Sequence, residues 1–375
     1  MHDFLRTILA YVLILGVLVF IHELGHYLAA RWRGVKVETF SIGFGPALRR
    51  WHDKSGTEWR LSAIPLGGYV KPHGFEGPDD ATDEQKAAWI PGRTFHDKPV
   101  GSRALVIVMG PVFNFLFAIV AFTLLFATVG KPQLRGDISQ VVAGSAAEKA
   151  GVKTGDVITR IGSLSISGPE DVMGTVAARP GAETTLEVRR NGQDLTLPVT
   201  IGSVKAGSHP TGVLGVGFAA SPGKPVSPIK AAVMGVQETW TMSVRTLQGV
   251  WQIISGQRSA RELGGTIRIA QISGQVVSYG MASIVSFMAL LSINLGLINL
   301  FPIPVLDGGR LIFYAVEAIK GRPVSRRVQE VSMQVGMALI GALFLFSTAN
   351  DLTNLGLFHL MFHDGSSCEI CPGTL

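Results

Sequence analysis

Four long apolar segments divide this 375-residue chain, at residues 7–30, 104–129, 282–300 and 331–348. A helix of about 20 apolar residues is long enough to cross the hydrocarbon core of a bilayer. The first segment does not have the pattern of a cleavable signal peptide, because its apolar run is too long and no small-residue cleavage site follows it. We therefore predict four transmembrane helices.

A different pattern fills the chain between the second and third apolar segments. Residues 184–188 and 194–199 alternate between apolar and polar around Asn191-Gly192, which is a strong hairpin signal. Residues 141–151 have the pattern of a strand entering a short helix. These features alone predict a small β-rich domain. Residues 228–280 then carry apolar side chains at helical spacing with few charges, which predicts interfacial helices rather than another span.

The loop between the first two spans also has strand character. Residues 40–48 and 59–70 alternate and contain several glycines, which predicts a β-hairpin dipping toward the membrane. An exposed strand edge can pair with an extended peptide, so this hairpin is a candidate for holding an unwound substrate. The alternative is a simple cytoplasmic sheet without that role.

Composition and charge agree with a membrane protein that has a water-soluble part. Apolar residues make up 47% of the chain, and the mean hydropathy is +0.35. The net charge of +6 is not gathered in a basic run, so we predict no nucleic-acid partner. Lysine and arginine instead cluster in residues 31–60 and 310–327. The positive-inside rule therefore places loops 31–103 and 301–330 in the cytoplasm, with both termini and residues 130–281 outside.

The first span contains ionisable groups that a membrane helix rarely carries. His22, Glu23 and His26 form the run HELGH near its C-terminal end. Histidines four apart lie on one helix face and can both bind zinc, and the glutamate between them can accept a proton from an activated water. The HExxH pattern also arises by chance, but here a chance match would leave Glu23 near hydrocarbon without a partner. A metal supplies that partner.

The end of the third span offers a third ligand. Pro302 and Pro304 break the helix, and such a break is tolerated at membrane depth only where protein or a water-filled cavity covers it. Asp307 lies just past the break and could offer a carboxylate oxygen to zinc, while the amide of Asn299 could bind a substrate backbone. The alternative is that this run is only a turn between two spans.

Taken together, these motifs resemble the site-2 protease family of intramembrane zinc metalloproteases, of the bacterial regulator of sigma-E protease type. The resemblance covers nearly the whole chain and includes SIGFGP at 41–46, PLGGYV at 65–70 and GPVFN at 110–114. It implies that His22, His26 and Asp307 bind zinc and that Glu23 is the catalytic base. A membrane-reentrant β-loop is also implied. The predicted substrate-binding residues are Asn299, Pro302, Pro304, Gly43, Gly45, Gly67 and Gly68.

Residues 150–158, with the sequence AGVKTGDVI, resemble part of a PDZ domain. Residues 130–220 have room for only one such domain, which resembles the single-PDZ members of the family. A PDZ groove binds an extended peptide by adding a strand to a sheet edge, which suits a substrate gate. The alternative is a spacer with an empty groove. The predicted domains are a membrane core at 1–130 and 282–350, a PDZ domain at 131–205, interfacial helices at 206–281 and a tail at 351–375.

The predicted fold is an α-helical integral membrane protein with four transmembrane helices, a membrane-associated β-hairpin and one inserted α+β PDZ domain. By resemblance, the protein is a zinc-dependent intramembrane endopeptidase of the bacterial inner membrane, with its active site near the cytoplasmic face. Its substrate is then a single-pass membrane protein, such as an anti-sigma factor already trimmed by a first protease or a remnant signal peptide.

Two other function classes remain open at the level of sequence. One is a membrane-anchored PDZ binding module with a non-catalytic metal site. The other is a metal transporter, which would distribute its ionisable groups over the depth of several spans rather than at one level. Cys368 and Cys371 form a CxxC pair in the tail, where a local disulfide fits the predicted outside location, and His359 and His363 stand nearby.

Overall fold

The computed structural model describes residues 2–78, 81–131, 133–206, 209–221, 223–257 and 264–354. Within them, four helices are long and apolar enough to cross a membrane, namely Phe4–Trp32, Val100–Thr128, Met281–Leu300 and Arg326–Thr353. Each coincides with a predicted span, so the prediction of four apolar helices is confirmed. The tail residues singled out above lie outside the described residues, and these are His359, His363, Cys368 and Cys371.

The helices, in chain order, are α1 (His2–Trp32), α2 (Asp83–Ala87), α3 (Val100–Thr128), α4 (Ala146–Lys149), α5 (Pro169–Ala177), α6 (Pro228–Ile254), α7 (Thr266–Ser278), α8 (Met281–Leu300), α9 (Asp307–Lys320) and α10 (Arg326–Asn354). The strands are β1 (Val37–His52), β2 (Glu58–Pro72), β3 (Gln133–Val141), β4 (Val157–Ile161), β5 (Leu164–Ser165), β6 (Glu183–Arg190), β7 (Gln193–Thr200), β8 (Gly202–Ala206), β9 (His209–Val213) and β10 (Val216–Ser221).

The chain forms two compact units. The helical unit comprises Met1–Phe122, Glu238–Ser243 and Leu263–Leu375, and the sheet unit comprises Thr123–Gln237 and Val244–Glu262. In the helical unit, α1 packs against α7, α8 and the β1–β2 hairpin. This hairpin connects the first two apolar helices, as the alternation in the loop predicted.

The β1–β2 hairpin is fixed to α1 by aromatic packing and by one partly buried polar network. Phe40 of β1 is fully buried, and its ring stacks on that of Trp59 with 4.3 Å between centroids. At the turn, the Asp53 carboxylate accepts hydrogen bonds from the Tyr27 hydroxyl of α1 at 2.9 Å and from the Trp59 indole at 3.1 Å. Burial would raise the pKa of Asp53, but these and further hydrogen bonds from Ser55 and Thr57 hold it well below its usual range.

The helix break that the two prolines predicted is present between α8 and α9. Its backbone closes through short turns, with Ile303 N donating to Phe301 O at 2.7 Å and Leu306 N donating to Ile303 O at 2.8 Å. A methyl group on Gly308 would lie 2.3 Å from the Leu300 and Phe301 carbonyl oxygens. The glycines after Asp307 therefore let α9 begin directly against the broken backbone, and this fixes where Asp307 stands.

The sheet unit is a small α+β domain built on the strand order β10-β3-β4-β6-β7. The predicted Asn191-Gly192 hairpin is confirmed, since both residues have positive φ angles of 51° and 82° and Arg190 pairs with Gln193 across the turn. Its core contains fully buried apolar side chains from several strands, namely Ile138, Ile161, Leu186 and Val188.

The sheet extends beyond residue 205, the predicted end of this domain. Strand β10 pairs antiparallel with β3, with Ser221 opposite Gln133 and Val216 opposite Val141. The short segment 216–221 has little periodicity of its own, so its place in the sheet depends on pairing with a distant strand. Downstream, α6 and α7 are helical, as the apolar spacing predicted.

Candidate active site

Three side chains from two distant parts of the chain converge in the helical unit. His22 Nε2 and His26 Nε2 lie 3.2 Å apart, and Asp307 Oδ2 lies 3.2 Å from the first and 3.4 Å from the second. The histidines project from α1, and Asp307 is the first residue of α9. Among the described residues, these three form the only cluster of three or more histidine, cysteine or carboxylate groups suited to a metal ion.

The spacing of the three atoms fits zinc. Zinc–nitrogen and zinc–oxygen bonds of about 2.0–2.1 Å in tetrahedral geometry place neighbouring ligand atoms roughly 3.3–3.4 Å apart. Asp307 Oδ2 is buried and, among the described residues, has no hydrogen-bond partner. A buried carboxylate oxygen without a partner is unfavourable. A cation held between it and the two imidazoles would supply the missing partner.

The ring orientation of His26 is set by the backbone of α3. His26 Nδ1 lies 2.8 Å from the carbonyl oxygen of Val106, and a carbonyl can only accept a hydrogen bond. The proton of the neutral ring is therefore on Nδ1, and Nε2 presents its lone pair to the cluster. This is the tautomer that a zinc ligand needs.

Helix α3 also makes room for the two imidazoles. A methyl group on Gly110 would lie 2.3 Å from His26 Nε2 and 2.9 Å from His22 Cε1, closer than atoms can approach. No other residue type fits at this position while both rings stay where they are. Gly110 is therefore part of the site, although it carries no functional group.

Glu23 opens onto a cavity of about 410 Å³ beside the cluster. The cavity is also lined by Asn299, by Arg310 and by the segment of β2 that contains Gly68 and Val70. The backbone of Val70 lies beside the Glu23 carboxyl group, and a methyl on Gly68 would lie 3.3 Å from Glu23 Cγ. The edge of β2 thus borders the carboxylate and the three candidate metal ligands.

The structure brings some of the predicted substrate-binding residues to this cavity and not others. Gly68 and Asn299 line it, and the Asn299 amide donates to the Leu295 carbonyl one turn earlier in α8 at 3.0 Å. The remaining five lie away from its lining, namely Gly43, Gly45, Gly67, Pro302 and Pro304. Three of these are hairpin glycines with positive φ angles, which indicates a role in bending the hairpin. Pro304 instead lines a second cavity of about 510 Å³, which shares Arg310 with the first.

Comparison with known proteins identifies the family of this chain. The profile of Peptidase family M50 matches residues 10–343, which include every residue of the cluster. The chain belongs to peptidase family M50. This confirms the site-2 protease family inferred by resemblance.

Relatives of this M50 peptidase extend over almost its whole length. A protein named a zinc metalloprotease in Agrobacterium fabrum is 38% identical and covers 93% of this chain and 96% of its own. One of the same name in Rhizobium meliloti is 38% identical over 92% of this chain and 96% of its own. Metalloprotease MmpA of Caulobacter vibrioides is 34% identical over 96% of this chain and 98% of its own. The M50 peptidase is thus a zinc metalloprotease, and its four apolar helices make it a membrane protein.

Sequence reasoning missed the parts of this M50 site that α3 contributes. GPVFN at 110–114 was noted as a motif, without a role for any of its residues. Gly110 and Asn114 are four apart and therefore lie on one face of α3, the face that meets His22 and His26. That spacing was the available signal, but nothing in the sequence showed which helix the face would meet.

Proposed function

We propose that this M50 peptidase is an intramembrane endopeptidase that cleaves a single-pass membrane protein within or beside its transmembrane segment. The observation that carries the proposal is the convergence of three groups beside Glu23. His22 and His26 lie on a helix apolar enough to span a bilayer, and Asp307 lies just after the end of another such helix. A hydrolytic site so placed is suited to substrates that are themselves in the membrane. The clustering of ionisable groups in one place disfavours a transport path.

In this mechanism, His22, His26 and Asp307 would hold a zinc ion, and zinc bound there would supply Lewis-acid chemistry toward the scissile carbonyl and the attacking water. Glu23 accepts the proton of the attacking water and delivers it to the leaving amide nitrogen. The backbone of Val70 borders the same cavity from the side of β2. Asn299 faces the same cavity and binds the substrate backbone.

Substrate binding must expose a peptide bond, because a helical backbone is closed by its own hydrogen bonds. Strand β2 pairs with β1 on one side, through Ser41 opposite Tyr69 and Ile42 opposite Gly68. Among the described residues it has no second strand partner, and its 68–72 segment borders the cavity. An extended substrate segment added to this edge would lie next to Glu23.

We further propose the topology that the positive-inside rule predicted, with the site near the cytoplasmic face of a bacterial inner membrane. HELGH lies toward the C-terminal end of α1, and Asp307 follows the C-terminal end of α8. Their convergence supports the same membrane side for both ends, which carry the basic loops 31–103 and 301–330. Both chain termini and the sheet unit then lie on the outer side.

The sheet unit is proposed to act as a PDZ domain that admits only substrates without a bulky outer domain. Its β10 lies at one edge of the sheet, where no further strand pairs with it among the described residues, and this supports peptide binding by strand addition. The natural substrate would then be a membrane protein shortened by an earlier cleavage, such as an anti-sigma factor, or a remnant signal peptide.

The decisive experiment replaces the proposed base. Glu23→Gln keeps the size of the side chain but removes its basicity, so it should abolish cleavage of a membrane-spanning peptide while the protein still binds zinc. Products are identified by mass spectrometry, with purified protein in detergent. The matched control is Glu84→Gln on the exposed α2, which should cleave like the parent. Parental turnover by the Glu23 variant would remove Glu23 from the mechanism.

A further inference from the structure

Asn114 of α3 is a buried amide in direct contact with a candidate zinc ligand. Its side chain is fully buried, and its Nδ2 lies 3.0 Å from His22 Nδ1. In this orientation its Oδ1 is also buried, and among the described residues it has no hydrogen-bond partner. Among the described residues, His22 is therefore the one hydrogen-bond partner of this side-chain amide, and the amide atom that faces the ring decides the tautomer of His22.

The two orientations of this amide have different consequences for His22. If Nδ2 faces the ring, it can only donate, so Nδ1 must present its lone pair and the proton of the neutral ring is on Nε2. His22 Nε2 is the atom that lies 3.2 Å from both His26 Nε2 and Asp307 Oδ2. A proton at that position would prevent His22 from binding a metal there.

A half-turn of the amide about its last side-chain bond removes this conflict. It brings Oδ1 to the ring, where it accepts a hydrogen bond from His22 Nδ1–H and leaves the lone pair of Nε2 facing the cluster. His26 already has this arrangement, because its Nδ1–H donates to the Val106 carbonyl oxygen. Both rings would then present the same nitrogen to the metal, each oriented by an acceptor on α3.

We propose that Asn114 is a positioning residue for zinc, whose side-chain oxygen fixes the tautomer and ring plane of His22. This goes beyond the proposed function and rests on its ligand set of His22, His26 and Asp307. The acceptor for His26 belongs to the backbone and cannot be removed by substitution. The acceptor for His22 is a side chain, so the proposal can be tested directly.

The surroundings of Asn114 hold it at this level of the helical unit. The Ser292 hydroxyl of α8 donates to the backbone carbonyl oxygen of Asn114 at 2.9 Å, and both residues are fully buried. On the same helix, a methyl on Gly296 would lie 3.3 Å from Asn114 Cβ. The amide is thus enclosed by α1 and α8 and has little freedom to leave His22.

The test measures zinc affinity of the full chain in detergent, by competition with a chelator of known affinity. Asn114→Leu keeps a similar volume but removes the acceptor, and the loss of such a partner lowers metal affinity by roughly 10–100-fold. Asn114→Asp keeps an acceptor oxygen and should stay within about threefold of the parent. If the leucine variant does not fold, the smaller Asn114→Ala takes its place.

Two control variants separate the possible failures. Ser292→Ala removes the hydrogen bond to the Asn114 backbone and leaves the contact between the Asn114 side chain and His22 in place. It should therefore lower thermal stability and lower zinc affinity by less than Asn114→Leu does. His22→Ala tests the ligand set itself, and retained zinc affinity in that variant would overturn the proposed function. If His22→Ala loses zinc but Asn114→Leu binds it like the parent, only the positioning role is wrong. Equal losses of zinc affinity in Asn114→Leu and Asn114→Asp would also overturn the positioning role of Asn114.

Discussion

At the scale of single residues, this site depends on the missing side chain of Gly110 as well as on the side chains that carry functional groups. The proposed ligands and Glu23 would supply the chemistry, but the two imidazoles fit side by side only because Gly110 leaves space for them. The ring of His26 is oriented by a backbone carbonyl and that of His22 by an amide. A zinc site in a membrane helix therefore requires a matching face on the neighbouring helix as well as the HExxH spacing.

Gly110→Ala is expected to lower zinc affinity by about tenfold or more, because the new methyl would displace the ring of His26. The substitution is otherwise mild, since alanine favours helices. Zinc affinity is measured by chelator competition, as for the Asn114 variants. The matched control is Gly101→Ala on the same helix, where no atom lies within 4 Å of the added methyl. Parental zinc affinity in Gly110→Ala would show that the rings have room to move.

At the scale of elements, a buried ionic contact fixes the conformation of a turn that secondary-structure propensity does not determine. In the sheet unit, the fully buried Asp156 carboxylate accepts hydrogen bonds from Arg190 Nε and Nη2, each at 2.8 Å, and from the Lys153 amide at 2.8 Å. Burial would raise the pKa of Asp156, but these hydrogen bonds outweigh it and hold the pKa below its usual range. The contact ties the turn before β4 to the end of β6.

The pH dependence of the sheet unit follows from that lowered pKa. A depressed pKa means that the ionised carboxylate stabilises the fold above the unfolded value of about 4, and that this stabilisation is lost as the pH falls below it. Asp156→Asn should therefore reduce hydrogen-exchange protection of residues 153–190 by roughly tenfold at pH 7. The difference from the parent should shrink in acid.

The control for this prediction is Asp194→Asn. Asp194 pairs with Arg189 at 2.9 Å, but both side chains are more than half exposed, so the pair is screened by solvent. Its loss should leave protection unchanged at either pH. If Asp156→Asn also leaves protection unchanged, the buried contact contributes nothing to the stability of the unit.

At the scale of the whole molecule, the sheet unit is inserted between two helices of the membrane core in a way that allows its removal. Its first and last sheet strands are neighbours, with Gln133 opposite Ser221. The chain therefore enters and leaves this sheet at one place, so deleting residues 133–221 and joining the ends with a short linker should leave the helical unit folded.

Under the proposed gate, this deletion should not slow cleavage of a substrate already trimmed on the outer side. It should, however, increase cleavage of the same substrate with its outer domain intact by about tenfold or more, because the domain that excludes such substrates has been removed. Both rates are measured side by side in reconstituted vesicles, and Glu23→Gln in the deleted protein shows that cleavage uses the same site. An unchanged rate for the intact substrate would contradict the gate.

The sequence alone determined the features that depend on local spacing. The four apolar helices follow from apolar length, and the candidate zinc-binding face of α1 follows from histidines four apart. The β6–β7 turn follows from Asn191-Gly192, and the break after α8 from Pro302 and Pro304. Asp307 could be proposed as the third ligand because it follows that break. These signals depend on periodicity, chain stiffness and turn preference, which act over a few residues.

Only the tertiary structure decided which distant groups meet. Asp307 lies more than 280 positions after the histidines in the chain, yet its oxygen is 3.2 Å from His22 Nε2. The roles of Gly110 and Asn114 and the pairing of β10 with β3 depend on which surfaces pack together. The same is true of the separation of Gly43, Gly45 and Gly67 from the cavity. The local sequence pattern predicts the type and approximate bounds of each helix or strand. It does not predict which elements pack together, because packing energy is shared among residues far apart in the chain.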